Sequence, residues 1–156
     1  MRWDLIEHFE VLKKGKFSSA VKSFSGTEDF FADHFPGKPL VPEPLFVEMI
    51  AQAGGVLYGL GIDFKKEVIL AKIEEAEFLT PVAPPCRFLI EATIENEREE
   101  GARIRGVVKQ NGKPVARARI LLVTVDALEP EKTQVVFNEG FLKHYDIYNV
   151  ARLSEQ

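Results

Sequence analysis

FFADHFPGKPLVPEPLFVEMIAQAGGVLYGL, residues 30–60, is a loop ending in His34-Phe35-Pro36-Gly37 followed by a nearly unbroken apolar run. Pro42 and Pro44 sit where a helix can begin, because the first helical turn asks no N–H of proline. From Leu45 onward, Phe46, Val47, Met49, Ile50, Ala51, Ala53, Val56, Leu57 and Leu60 leave almost no polar face. That is the pattern of a helix buried on every side. Glu48 and Gln52 interrupt it, one turn apart on the same face. A carboxylate on a buried helix is costly unless it is paired or used. Glu48 therefore marks either an ion pair or a site.

The flanks supply the rest of the fold. Gly59 and Gly61 are expected to stop the helix. On the N-terminal side, residues 1–12 form an amphipathic lead-in, helix or strand, with Trp3, Leu5, Ile6 and Phe9 apolar. Lys13-Lys14-Gly15-Lys16 signals a turn, and residues 17–24 alternate as a half-buried strand. Thr27-Glu28-Asp29 can cap one helical turn carrying Phe30 and Phe31. On the C-terminal side, strands are predicted over 68–80 and 88–94. A hairpin follows, 102–110 with 114–125 across Asn111-Gly112, a dipeptide that favours the tight two-residue turn. In the tail from Glu129, Asn138 can cap a helix that puts Phe141, Tyr145 and Tyr148 on one face. A single buried helix followed by meandering strands predicts an α+β fold with an antiparallel sheet curled around the helix, not alternating βαβ units.

Composition narrows the function. The chain has 156 residues, 46% of them hydrophobic and 28% charged, which suits one globular domain with a full core. A net charge of −4 argues against a general nucleic-acid binder. One cysteine, Cys86, excludes a disulfide framework within the chain and fits a reducing compartment. The acidic start offers no secretory apolar region, and no apolar run approaches a membrane span. A soluble cytoplasmic protein is expected. Metal-ligand spacing, a phosphate-cradling glycine loop and a Ser/His/Asp signature are all missing, so no cofactor is expected. His8 and His144 read as surface residues.

The quoted loop and helix, from Phe30 to Pro42 and from Leu45 to Gly55, resemble the 3-hydroxyacyl-[acyl-carrier-protein] dehydratases of the hot-dog fold, in their dehydratase-only branch. Weaker similarity extends over about residues 10–126. The resemblance implies a hot-dog domain over residues 1–126; it does not cover residues 127–156, which are expected to form a C-terminal extension packed on the same domain, the tail from Phe137 lying across a sheet edge or the tunnel mouth. It implies His34 and Glu48 as the catalytic pair, drawn from different subunits of a homodimer or higher homo-oligomer. An acyl chain, on acyl carrier protein or coenzyme A, would run into a tunnel beside the central helix. An acidic carrier would call for a local basic patch, for which Lys13, Lys14, Lys16, Lys65, Lys66, Lys72 and Arg87 are candidates. The chain departs from the family where Pro-Gly-Val-Leu becomes Pro42-Glu43-Pro44-Leu45 and where Asp33 replaces the glycine before the histidine.

The residue chemistry agrees with that implication. A neutral histidine is a base near neutral pH. A carboxyl desolvated on an apolar helix is suited to hold a proton for donation. His34 would take the α-proton and Glu48 would protonate the departing hydroxyl, with Gln52 orienting Glu48. Phe35, Gly37, Pro42, Glu43 and Gln52 are the candidate substrate-binding residues. Free N–H groups between Pro42 and Leu45, at a helix N-terminus, would steady the enolate oxygen. Two alternatives stay open: a non-catalytic acyl-chain binding protein, and a hot-dog acyl thioesterase.

Overall fold

In the computed structural model, which describes residues 4–126 and 137–156, the apolar run becomes one helix, α1 (Pro44–Gly61). Ahead of it lie strands β1 (His8–Lys13) and β2 (Phe17–Phe24) and a single 3-10 turn (Asp29–Ala32). Behind it follow β3 (Glu67–Phe78), β4 (Cys86–Glu97), β5 (Gly101–Gln110) and β6 (Lys113–Val125), then two short helices, α2 (Glu139–His144) and α3 (Ile147–Ser154). The lead-in resolves as a strand. Trp3 and residues 127–136 of the tail lie outside the described residues.

The six strands form one antiparallel sheet in the order β1-β2-β4-β5-β6-β3. Asn111 (φ 50°) and Gly112 (φ 78°) both take the left-handed conformation that a two-residue hairpin needs, and they join β5 to β6. Gly15 (φ 74°) does the same service between β1 and β2. Along β4, Cys86, Phe88, Ile90 and Ala92 point to the core while Arg87, Leu89, Glu91 and Thr93 point away, the period of two that a half-buried strand requires.

The helix has a prepared seat on this sheet. Ala92, Gly106 and Ala118 stand opposite one another on β4, β5 and β6, forming a row of small residues across the inner face. Isoleucines flank it, with Ile94, Ile104 and Ile120 in a neighbouring row. A Cβ built on Gly106 would lie 2.2 Å from Ile50, and one on Gly54 would lie 2.8 Å from Ile104. The small row therefore lets α1 sink into the sheet, and the sheet wraps it. The buried Ser18 hydroxyl on β2 donates to the Ala53 carbonyl of α1 (3.2 Å), and the Tyr58 hydroxyl donates to the Arg98 and Glu99 carbonyls (2.6 and 3.0 Å). Among the described residues no helix is long and apolar enough to cross a membrane.

Two expectations need correction. Gly59 and Gly61 do not stop the helix; both lie inside it, and the left-handed residues beyond it are Asp63 (φ 53°) and Phe64 (φ 51°). Gly59 is there for space, since a Cβ would approach the Phe64 ring to 2.5 Å. In the tail, Asn138 does cap a helix, accepting the Phe141 N–H at 2.9 Å. The helix breaks at Asp146 (φ 51°), however, so the aromatics do not share one face: Tyr145 is buried and Tyr148 is exposed.

Candidate active site

The loop before α1 is folded on itself around His34. The 3-10 turn delivers it, with the His34 N–H donating to the Phe30 carbonyl (3.1 Å). Phe35 and Lys38 exchange backbone hydrogen bonds (3.0 and 2.9 Å) around Gly37, whose φ of 74° completes the turn. The Leu40 N–H returns to the His34 carbonyl (2.9 Å). The Leu40 carbonyl lies 3.1 Å from Nδ1 of the His34 ring. A carbonyl only accepts, so Nδ1 carries the proton and Nε2 of the neutral ring holds the free lone pair. The Phe35 ring stacks on the imidazole at 4.2 Å and is itself half exposed.

On α1, the helix is not buried all round. Leu45, Phe46, Met49, Ile50 and Ala53 are buried, while Glu48, Ala51 and Gln52 are partly open. Gln52 Nε2 donates to Glu48 Oε1 at 3.1 Å. The i, i+4 spacing thus puts an oriented carboxylate on the one face of α1 that the sheet leaves uncovered. That face lines a cavity of about 720 Å³ together with Val68, Ile69 and Leu70 of β3 and Phe137 and Phe141 of the tail.

The N-terminus of α1 supplies less than expected. Glu43 occupies the N-cap without a side-chain cap, and Pro44 has no N–H. The Leu45 N–H is taken by the Pro42 carbonyl (3.0 Å) and the Phe46 N–H by the Glu43 carbonyl (3.0 Å), because the chain already turns at Pro42. Of the N–H groups from Pro42 to Leu45, this leaves that of Glu43 outside the hydrogen bonds of the first turn.

Glu48 and Gln52 therefore come together, and Glu43 and Pro42 lie at the head of the same helix. His34, Phe35 and Gly37 belong to the loop and do not line the Glu48 cavity. Phe137, Phe141, His144 and Tyr145 also line it. From sequence the tail from Phe137 is expected across a sheet edge or the tunnel mouth, on the signal of Phe141, Tyr145 and Tyr148, with none of them named as a site residue. His144 is exposed, as read, at the cavity rim, and His8 is exposed on β1. Among the described residues no three His, Cys, Asp or Glu side chains are placed to hold a metal ion. Burial pushes the Cys86 thiol up to about 11, so it is an inert core side chain. Of the candidate basic residues, Lys66 pairs with Glu99 and Asp126 (3.7 and 3.9 Å).

The chain is similar to known proteins. The 3-hydroxyacyl-[acyl-carrier-protein] dehydratases FabZ of Pectobacterium atrosepticum and of Klebsiella pneumoniae are each 37% identical over 120 residues, spanning 75% of this chain and 80% of their own. Among solved structures, the dehydratase heterocomplex ApeI:P from Xenorhabdus doucetiae superposes with a TM-score of 0.68 over 81% of this chain and 86% of that one, at 14% identity; this likeness shows the shared hot-dog fold. A model of the FabA-like domain covers residues 4–119. Matched over those residues and 37% identical to such dehydratases across most of its length, the chain belongs to the FabA-like domain family.

Proposed function

We propose that this protein is a (3R)-3-hydroxyacyl thioester dehydratase, removing water from a substrate on acyl carrier protein or coenzyme A to give the trans-2-enoyl thioester, in cytoplasmic fatty acid, lipid or polyketide synthesis. The observation that carries the reading is Glu48: a partly buried carboxylate, held by Gln52, facing an apolar cavity on α1. Elimination needs three services, and three groups supply them. His34 Nε2, its lone pair freed by the Nδ1–Leu40 contact, takes the proton from the α-carbon. Glu48, protonated, gives its proton to the 3-hydroxyl, which leaves as water. The Glu43 N–H and the positive end of α1 steady the enolate oxygen between the two events. The histidine ends as imidazolium and the glutamate as carboxylate, and one proton passing back restores both.

His34 and Glu48 act on one substrate if the two come from different copies of the chain. Strand β3 supports such an assembly. It is a 12-residue edge strand whose residues 69–78 are all exposed, with Ile73 50% accessible and Ile69, Leu70 and Phe78 beside it. A long exposed edge is a template for another strand, and antiparallel pairing of two β3 strands would bring one protomer's loop toward its partner's helix. The experiment is subunit complementation. His34→Ala and Glu48→Gln are each expected to lose about two to four orders of magnitude of dehydration rate. Mixed after unfolding and refolding together, they are expected to recover part of it, because hybrid dimers hold one intact site. Folded single variants that keep wild-type rates would sink the assignment. A wild type that binds acyl thioesters without converting them would identify a non-catalytic binding protein, and release of free thiol a thioesterase.

A further inference from the structure

The family match ends at residue 119, but the Glu48 cavity is also lined by residues beyond it. Three of them belong to a continuous row of aromatic rings: Phe137 on Phe141 (5.1 Å), Phe141 on Tyr145 (4.7 Å) and Tyr145 edge-on to Phe9 of β1 (6.0 Å). Both ends of the row are fixed. Phe137 lies against Gly55 of α1, where a Cβ would come within 3.0 Å of the ring. Gly55 follows Gln52 by three residues, so this seat adjoins the Glu48–Gln52 face. At the other end the Tyr145 hydroxyl donates to the Asp4 carboxylate and to the Ile6 carbonyl. Between these anchors Phe141 is half-buried, its backbone N–H held by the Asn138 cap. A helix of six residues has no stability of its own. It is held by this row, and its place across the cavity is the result.

We propose that α2 is the specificity element of the site: the Phe141 ring, supported by Phe137 and Tyr145, marks where a linear acyl chain entering from Glu48 must end. The proposal rests on the reading of this cavity as the acyl-thioester site. Each methylene accommodated inside is favourable because it leaves water, whereas one that meets a supported aromatic wall has nowhere to go. Chain length is therefore read at Phe141 and not at the catalytic groups.

The test is the ratio of kcat/KM for long against short straight-chain 3-hydroxyacyl-coenzyme A substrates, with each variant's folding checked by thermal melting. Phe141→Ala is expected to raise the ratio on the order of tenfold and Phe141→Trp to lower it comparably; Phe141→Leu replaces the alanine variant if that one does not fold. Ratios unchanged in both directions in folded variants, or a change in oligomeric state alone, overturn the proposal and leave the dehydratase reading standing. If the wild type does not dehydrate, binding of saturated acyl-coenzyme A by the same variants decides: a shifted length preference supports the wall, and an unshifted one overturns it. A wild type that binds no acyl thioester removes both readings.

Discussion

Glu43 stands at the N-cap of α1, where the helix dipole is positive and where the proposed enolate oxygen is steadied. Its carboxylate has two opposed effects. It complements the dipole and so favours the helix, and it opposes negative charge developing on the thioester oxygen beside it. Each effect is worth about 0.3–1 kcal/mol at a helix terminus. Glu43→Gln keeps the backbone N–H and removes the charge, so it separates the two. We expect kcat/KM to rise about two- to fivefold while the melting temperature falls slightly. A fall in kcat/KM would mean that the carboxylate assists the reaction. Gln52, by contrast, acts through Glu48. Its hydrogen bond at 3.1 Å orients the carboxyl proposed as the acid, so Gln52→Ala is expected to lower kcat more than it raises KM.

At the scale of elements, α1 and β3 carry the informative strain and exposure. Glycine inside a helix costs ~1 kcal/mol relative to alanine, so Gly59→Ala would stabilise α1 if the space were open. It is not, because the added Cβ meets the Phe64 ring at 2.5 Å. That ring is buried against Phe137 and held edge-on to Tyr148. Overpacking of this kind costs about 1–3 kcal/mol and outweighs the propensity gain. Gly59→Ala is expected to melt lower than wild type, and Phe64→Leu to cost less in its presence than alone, a coupling that a double-mutant cycle measures. For β3, a charge placed on the exposed edge opposes strand pairing. If the proposed β3 pairing forms the dimer, Ile73→Lys is expected to shift sedimentation to monomer and to lower dehydration with it. A monomeric variant of full activity would show that one chain suffices.

Across the whole molecule, the two ends of the chain are fastened to each other. The α3 residue Ser154 accepts the Leu12 N–H of β1 at 3.0 Å, satisfying a donor on that sheet edge. Tyr145 ties the same helices to Asp4 and Ile6. Burial first, and then the hydrogen bond and charge of Asp4, hold the Tyr145 phenol well above the usual tyrosine range; burial, then the Glu97 charge, raises Tyr58 likewise. Because the folded values lie above the unfolded one of ~10, this contribution is complete below that pH and is lost as pH rises through the folded values. Stability is therefore expected to decline in alkaline solution. Tyr145→Phe should melt lower at neutral pH by the equivalent of about 0.5–1.5 kcal/mol and decline less steeply above pH ~10. Parallel alkaline curves for wild type and variant would remove Tyr145 from this account.

The pattern of residues was sufficient for the elements and for the carboxylate. The all-apolar helix, the period-two strands and Asn111-Gly112 express local rules, and Glu48 with Gln52 stood out because a polar pair on such a helix contradicts its surroundings. The loop histidine was singled out only by the resemblance of residues 30–42 to the dehydratase loop; its neighbours alone, Gly37 among them, read as a turn. What local rules could not decide was every question of who lies opposite whom. Gly59 read as a stop signal, yet it is a space for Phe64. The amide of Leu45 read as free, yet the Pro42 carbonyl takes it. The tail aromatics read as a segment lying across a sheet edge or the tunnel mouth, without the contacts it makes there, and only packing sets Phe137 on Gly55 and Phe141 on the Glu48 cavity. Periodicity reports which side of an element is buried, because burial along a helix or strand repeats with its geometry. The partner on that side is chosen by contacts between residues far apart in the chain, and these exist only once the sheet has closed around α1.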